Sequence, residues 1–191
     1  MGWRMRLFVA LSPPPEALAE LEAAVAPLRG ACPALRWTGQ DRWHVTLAFL
    51  GLVDEDKLTD LEVRLERAAS RHQTQRLVIG RGGAFPSPSR ARVLIAHVES
   101  ADGDLTGLTA LARSVAAGAR RAGAPPPDEG RRYRPHLTLA RTKQPAELGD
   151  LVQSLSGRCG RPWPAAEIHL VESRLGPQPH YETLATWPLR A

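Results

Sequence analysis

Two stretches of this 191-residue chain, HVTLAFLG from His44 and HLTLAR from His136, repeat the phrase H-x-T-L-A about half a chain length apart. In an extended strand alternate side chains share a face. Each copy therefore sets an imidazole beside a hydroxyl: His44 with Thr46, and His136 with Thr138. Val45, Leu47, Leu137 and Leu139 point the other way and can anchor the strand in a core. Imidazole titrates near neutrality, and a threonine hydroxyl both donates and accepts. One such copy says little, because a strand histidine is usually structural. Two copies at half-length spacing imply a duplicated unit whose pseudo-symmetry brings two imidazoles to opposite sides of one point.

In-line displacement at a phosphodiester needs that arrangement. One group deprotonates the attacking water while another protonates the leaving alkoxide across the phosphorus, each transfer contributing about 10²–10⁴-fold. The two hydroxyls can hold the non-bridging oxygens, where preorganised donors stabilise charge. No metal or other cofactor is required by this scheme. A zinc site is the rival use of two histidines, but there is no H-E-x-x-H and no third clustered ligand, and Cys32 and Cys159 lack metal spacing. Nucleophilic serine chemistry lacks a G-x-S-x-G motif. With one ring protonated and the other neutral, the expected pH profile is a bell near neutrality.

The rest of the chain must position these groups. RLFVAL (6–11) reads as a buried strand, and Leu18, Leu21, Val25 and Leu28 form the stripe of an amphipathic helix. After the first motif, Asp54 is placed to cap a second helix with Leu58, Leu61, Leu65 and Ala68 inward. RLVIG and RVLIAHV read as strands joined by the loop GGAFPSPSRA, and a third helix spans about Asp104 to Ala122. GAPPPDEG breaks the chain before the second motif strand, expected from Tyr133 to Arg141. A short helix near Ala146–Leu155 and the strands EIHLVESRL and YETLATW complete the chain. Each motif strand is followed by a helix, so the fold class is α+β: a duplicated unit with antiparallel sheet covered on one face by helices.

A hydrophobic content of 43% suits one globular body, and the proline-rich breaks read as loops within a single domain spanning residues 1–191. No apolar run is long enough for a membrane span, so no membrane partner is expected. The two cysteines read as reduced thiols in a cytoplasmic protein, and the chain is expected to be a monomer. The net charge of +5 suits an anionic partner.

HVTLAFLG, RPHLTLAR and LVESRLGPQPHYETLATWPL resemble the 2H phosphoesterase superfamily, and within it the RNA 2′,3′-cyclic phosphodiesterases of the LigT-like, 2′-5′ RNA ligase family. The resemblance covers essentially the whole chain. It implies a bilobal fold with two antiparallel sheets facing a central cleft and helices on the outer faces. It also implies hydrolysis of an RNA 2′,3′-cyclic end, or a cyclic nucleotide, to a 2′-phosphate without a metal. By the same resemblance His44 is the acid toward the 3′-oxygen, His136 activates water, and Thr46, Thr138 and Arg141 hold phosphate. Spacing alone leaves the two histidine roles open. The alternatives are 2′-5′ RNA ligation at the same site, or an RNA- or nucleotide-binding module without turnover.

Strict alternation from His136 turns Arg141 away from the cleft, so a bulge or the strand end must re-aim it. Its counterpart Phe49 either stacks on a base or packs in the core, and the core is the better reading. Trp43, where the family favours an aliphatic residue, is placed to shape the cleft rim. Arg131, Arg132, Tyr133 and Arg134 are either a solvated strand end or a rim for RNA phosphates with one aromatic for stacking. His72, His97, His169 and His180 belong to no motif and read as surface or structural.

Overall fold

The computed structural model describes residues 3–127, 132–157, 159–174 and 180–191. Two antiparallel sheets make up its strand content. The first contains β1 (Arg4–Leu11), β3 (Val45–Asp54), β8 (Glu167–Arg174) and β9 (His180–Pro188) in the order β3-β1-β8-β9. The second contains β2 (Arg36–Trp37), β4 (Gln75–Phe85), β5 (Ala91–Ser100), β6 (His136–Ala146) and β7 (Trp163–Ala165) in the order β2-β6-β5-β4-β7. The helices are α1 (Pro15–Ala31), α2 (Leu58–Ala69), α3 (Thr106–Arg121) and α4 (Gly149–Ser154). Helix α2 packs on β9, α3 on β3 and α4 on β4. This is the α+β arrangement of two antiparallel sheets with flanking helices.

Alternation along the strands explains which face each sheet gives to its helices. Leu7, Val9, Leu47 and Leu50 join the main buried cluster with Leu61, Leu65, Leu108 and Leu111. Phe8, Ala10 and Val171 form a separate small cluster on the opposite face of the first sheet. The helix stripes behave as their spacing predicts: Leu21 and Val25 are buried, with Leu18 and Leu28 partly so.

Three local expectations change, and two short strands were not expected at all. Asp54 stands at the start of the helical turn before α2 but its side chain makes no capping bond; it ends β3 and its carboxylate accepts from Arg4 Nε at 2.7 Å, an opposite-charge pair in direct register. The glycine stretch expected as loop is strand, with β4 running through Gly82 and Gly83 to Phe85. A Cβ at Gly82 would sit 2.6 Å from Leu155 Cβ, and one at Gly83 would collide with His97, so bare backbone lets neighbours close over β4. The second motif strand begins at His136, not Tyr133, and runs on to Ala146. Strands β2 and β7, of two and three residues, are too short to leave a periodic signal.

Candidate active site

His44 lies immediately before β3, and His136 is the first residue of β6. Both rings are fixed in the same way. His44 Nδ1 lies 2.9 Å from the Arg42 carbonyl oxygen, and His136 Nδ1 lies 2.6 Å from that of Arg134. A carbonyl only accepts, so Nδ1 carries the hydrogen in each ring and Nε2 is left for chemistry. A neutral ring then offers an Nε2 lone pair, and a charged one an Nε2–H. The same backbone device in both halves extends the repeat backward to R-x-H-x-T-L-A, from Arg42 and from Arg134.

An aromatic ring backs each imidazole. Phe8 stacks on His44 with centroids 4.6 Å apart, and Tyr181 meets the same ring edge-on at 5.3 Å. Phe85 meets His136 edge-on at 5.0 Å. Burial pushes the His44 pKa down to about 4, opposed by the Arg42 carbonyl and reinforced by the charge of His136. Burial also lowers His136, opposed by the Arg134 carbonyl and reinforced by Arg141. The strands carrying the two motifs touch, and Tyr133 ties them: its hydroxyl donates to the Thr46 carbonyl at 3.1 Å.

Thr46 pairs with Ala10, and Thr138 pairs with Ile95, which places both on the faces that carry the histidines. Neither hydroxyl has a protein partner among the described residues, so both remain open to a ligand.

Two matching bulges set the direction of the side chains beyond each threonine. In the first sheet Ala10 pairs with Thr46 while Val9 pairs with Ala48, leaving Leu47 as the extra residue. In the second, Ile95 pairs with Thr138 while Leu94 pairs with Ala140, leaving Leu139 extra. Each bulge sends two consecutive residues, Leu-Ala, into the core and returns the next one to the threonine's face. Arg141, paired with Val93, thus rejoins the face of His136 and Thr138. Phe49, paired with Phe8, rejoins the face of Thr46. Phe49 is 48% exposed, so core packing is not its role.

The remaining expected residues divide. Arg132 and Arg134 are exposed, and the Arg134 guanidinium lies 5.9 Å over the Phe85 ring. Tyr133 does not stand on a rim: it is half-buried against the main core, and burial raises its pKa. Arg131 lies outside the described residues. Trp43 is buried at 4% exposure beneath Arg29, not at the cleft edge, because its side of the chain faces the core. Loss of the Tyr133 hydroxyl should show this structural role. Tyr133→Phe is expected to cost about 1 kcal/mol in denaturant unfolding, since the Thr46 carbonyl loses its buried donor.

The match to known families settles the kinship. The family model for LigT-like phosphoesterases matches residues 11–95 and 102–181. This chain belongs to the LigT-like phosphoesterase family. Among curated relatives, it is 32% identical over 194 residues to an RNA 2′,3′-cyclic phosphodiesterase of Thermus thermophilus, covering 97% of this chain and 91% of that one. It is 30% identical over 182 residues to the Archaeoglobus fulgidus protein of the same name, covering 94% and 98%. Among solved structures, a Thermus thermophilus protein superposes with a TM-score of 0.75 at 31% identity, covering 97% of this chain and 98% of that one. E. coli LigT complexed with 3′-AMP superposes with a TM-score of 0.73 at 25% identity, covering 98% and 99%.

This LigT-like phosphoesterase also carries site neighbours that the motif left unmarked. Phe8, Phe85 and Tyr181 have no local signature, because their roles depend on strands brought together by the sheet. His97 lies in direct register with His136 on the same face, over Gly83. Burial and the charge of Arg81 lower its pKa, while Glu99 acts the other way. His72 and His169 bond to Ser114 and Thr186 at 2.8 and 2.9 Å.

Proposed function

We propose that this protein hydrolyses RNA 2′,3′-cyclic phosphate ends to 2′-phosphates, with two histidines as acid and base. The observation that carries the mechanism is the matched pair of rings, each with Nδ1–H on a backbone carbonyl and Nε2 free. The substrate class is supported by curated relatives named RNA 2′,3′-cyclic phosphodiesterase over nearly the whole chain. Water attacks phosphorus and gives its proton to Nε2 of neutral His136. The bond from phosphorus to the 3′-oxygen breaks, and that oxygen takes the proton from Nε2 of charged His44. Thr46, Thr138 and Arg141 hold the non-bridging oxygens and stabilise the charge developing there.

Burial lowers the pKa of both rings, so the division of roles follows the family resemblance and not the burial. The imidazolium of His44, with a pKa near 4, is a strong proton donor once formed, and its neutral ring is a weak base. An anionic phosphate beside it favours the charged form and supplies the proton-bearing state.

Incubation with adenosine 2′,3′-cyclic phosphate and identification of the product isomer tests the reading. The expected product is adenosine 2′-phosphate; the 3′-isomer would reverse the leaving oxygen. Turnover is also expected to persist in excess EDTA. Among the described residues no three His, Cys, Asp or Glu side chains cluster as metal ligands, and the proposed acid protonates the leaving oxygen directly. Loss in EDTA that one divalent ion restores would overturn the metal-free scheme.

A further inference from the structure

An arginine outside both motifs completes a second anion position beside the first. Strand β2 pairs with β6 so that Arg36 stands directly opposite Arg141, while Trp37 stands opposite Ala140. Cross-strand partners share a face, so Arg36 points to the side of Arg141, Thr138 and His136, and Trp37 packs toward the core. Two like charges directly opposed are destabilising. Neither guanidinium has a carboxylate partner among the described residues, and both are exposed.

The short strand is nevertheless held firmly in that register. The Trp37 indole donates to the Cys32 carbonyl at 3.0 Å, and Thr38 N–H donates to Leu139 O at 2.8 Å. Leu139 is the bulge residue that turns Arg141 to this face, so one piece of backbone positions both arginines. Arg29 adds a bond to the Thr38 carbonyl at 3.3 Å. A repulsive pair held in place by these bonds is a site waiting for an anion, and planar guanidinium groups match phosphate oxygens.

We propose that Arg36 binds the phosphodiester on the 5′ side of the terminal nucleoside, making an RNA chain end a better substrate than a cyclic mononucleotide. The proposal rests on the hydrolytic reading above. The reacting phosphate lies among the histidines and threonines, and Arg141 borders it. Arg36 is one strand farther out, where the next phosphate along a chain is the negative group within reach.

The test compares kcat/KM for adenosine 2′,3′-cyclic phosphate and for the dinucleotide ApA with a 2′,3′-cyclic end, in the native protein and in Arg36→Gln. The native protein should prefer the dinucleotide. Arg36→Gln should lower that preference about tenfold, through KM, as expected for one charged phosphate contact. Arg36→Lys should retain part of it. For a longer oligoribonucleotide, the slope of log affinity against log salt should fall by about 0.7. Melting temperature should not drop in Arg36→Gln, because removing one of two facing charges relieves repulsion; a merely structural Arg36 would lower it. An unchanged preference, or an equal loss on both substrates, overturns the proposal while leaving hydrolysis intact. Turnover of neither substrate by the native protein removes the hydrolytic reading and this proposal with it.

Discussion

His44→Ala and His136→Ala are each expected to lower kcat/KM by at least about 10²-fold, the ordinary contribution of one positioned proton transfer. Each ring is locked by a backbone carbonyl at Nδ1, so no rotation lets a neighbour take over its Nε2. His97 lies opposite His136 but is held over Gly83 in its own register position. The double variant should lose less than the product of the single losses, because an acid and a base acting in one step fail together. Thr46→Ala and Thr138→Ala should each lose less than either histidine variant, since each removes one donor from a set. Removing His44 also strips a stacking partner from Phe8, so Tm must be measured beside the rate. Near-native turnover in either histidine variant, with the fold intact, takes that residue out of the scheme.

The repeated motif was legible because its chemistry follows from strand period alone: alternate residues on one face, with apolar partners beneath. Helix stripes were legible for the same reason. The features that escaped depend on pairing between distant segments. The face of Arg141 cannot be decided without knowing that Leu139 is skipped by Leu94 and Ile95 on β5. Strict alternation pointed the wrong way, and the bulge restored the arginine to its threonine. Phe49 followed the same rule through Leu47, which is why a residue expected inside is half exposed. Tyr133 was open between a solvated strand end and a stacking rim, and sequence alone gives no sign that its hydroxyl is used by a backbone carbonyl of the other motif. Gly82 and Gly83 were misleading for a local reason. Glycine is a turn signal in sequence, but here it marks close approach of Leu155 and of His97 to a continuous strand.

The kcat/KM profile is expected to be a bell centred below pH 6.5, on the acid side of the near-neutral optimum that unperturbed imidazoles would give. kcat/KM reports ionisations of the free enzyme, and the productive state holds one proton between the two rings. Burial disfavours the charged form of a base, so both rings lose their protons below the ordinary value of ~6.5, His44 at about 4. The surrounding charges push the same way: Arg141 lowers His136, and His136 lowers His44. The carboxylate on that face, Glu99, acts on His97. Above the upper limb both rings are neutral and the rate falls about tenfold per pH unit, the ratio set by one missing proton. Folding stability falls instead on the acid side. The unfolded chain binds these protons first as pH falls below ~6.5, so stability is fully present above that value and declines toward the lower folded-state pKa values. Tm across the range therefore separates unfolding from titration on the acid limb. Bound phosphate favours imidazolium, so the kcat bell should lie at higher pH than the kcat/KM bell. In His44→Ala the residual rate should lose its alkaline limb, and in His136→Ala its acid limb; exchanged limbs would reverse the two roles. A kcat/KM bell centred at or above ~6.5 would mean that the cleft is too wet to depress either ring.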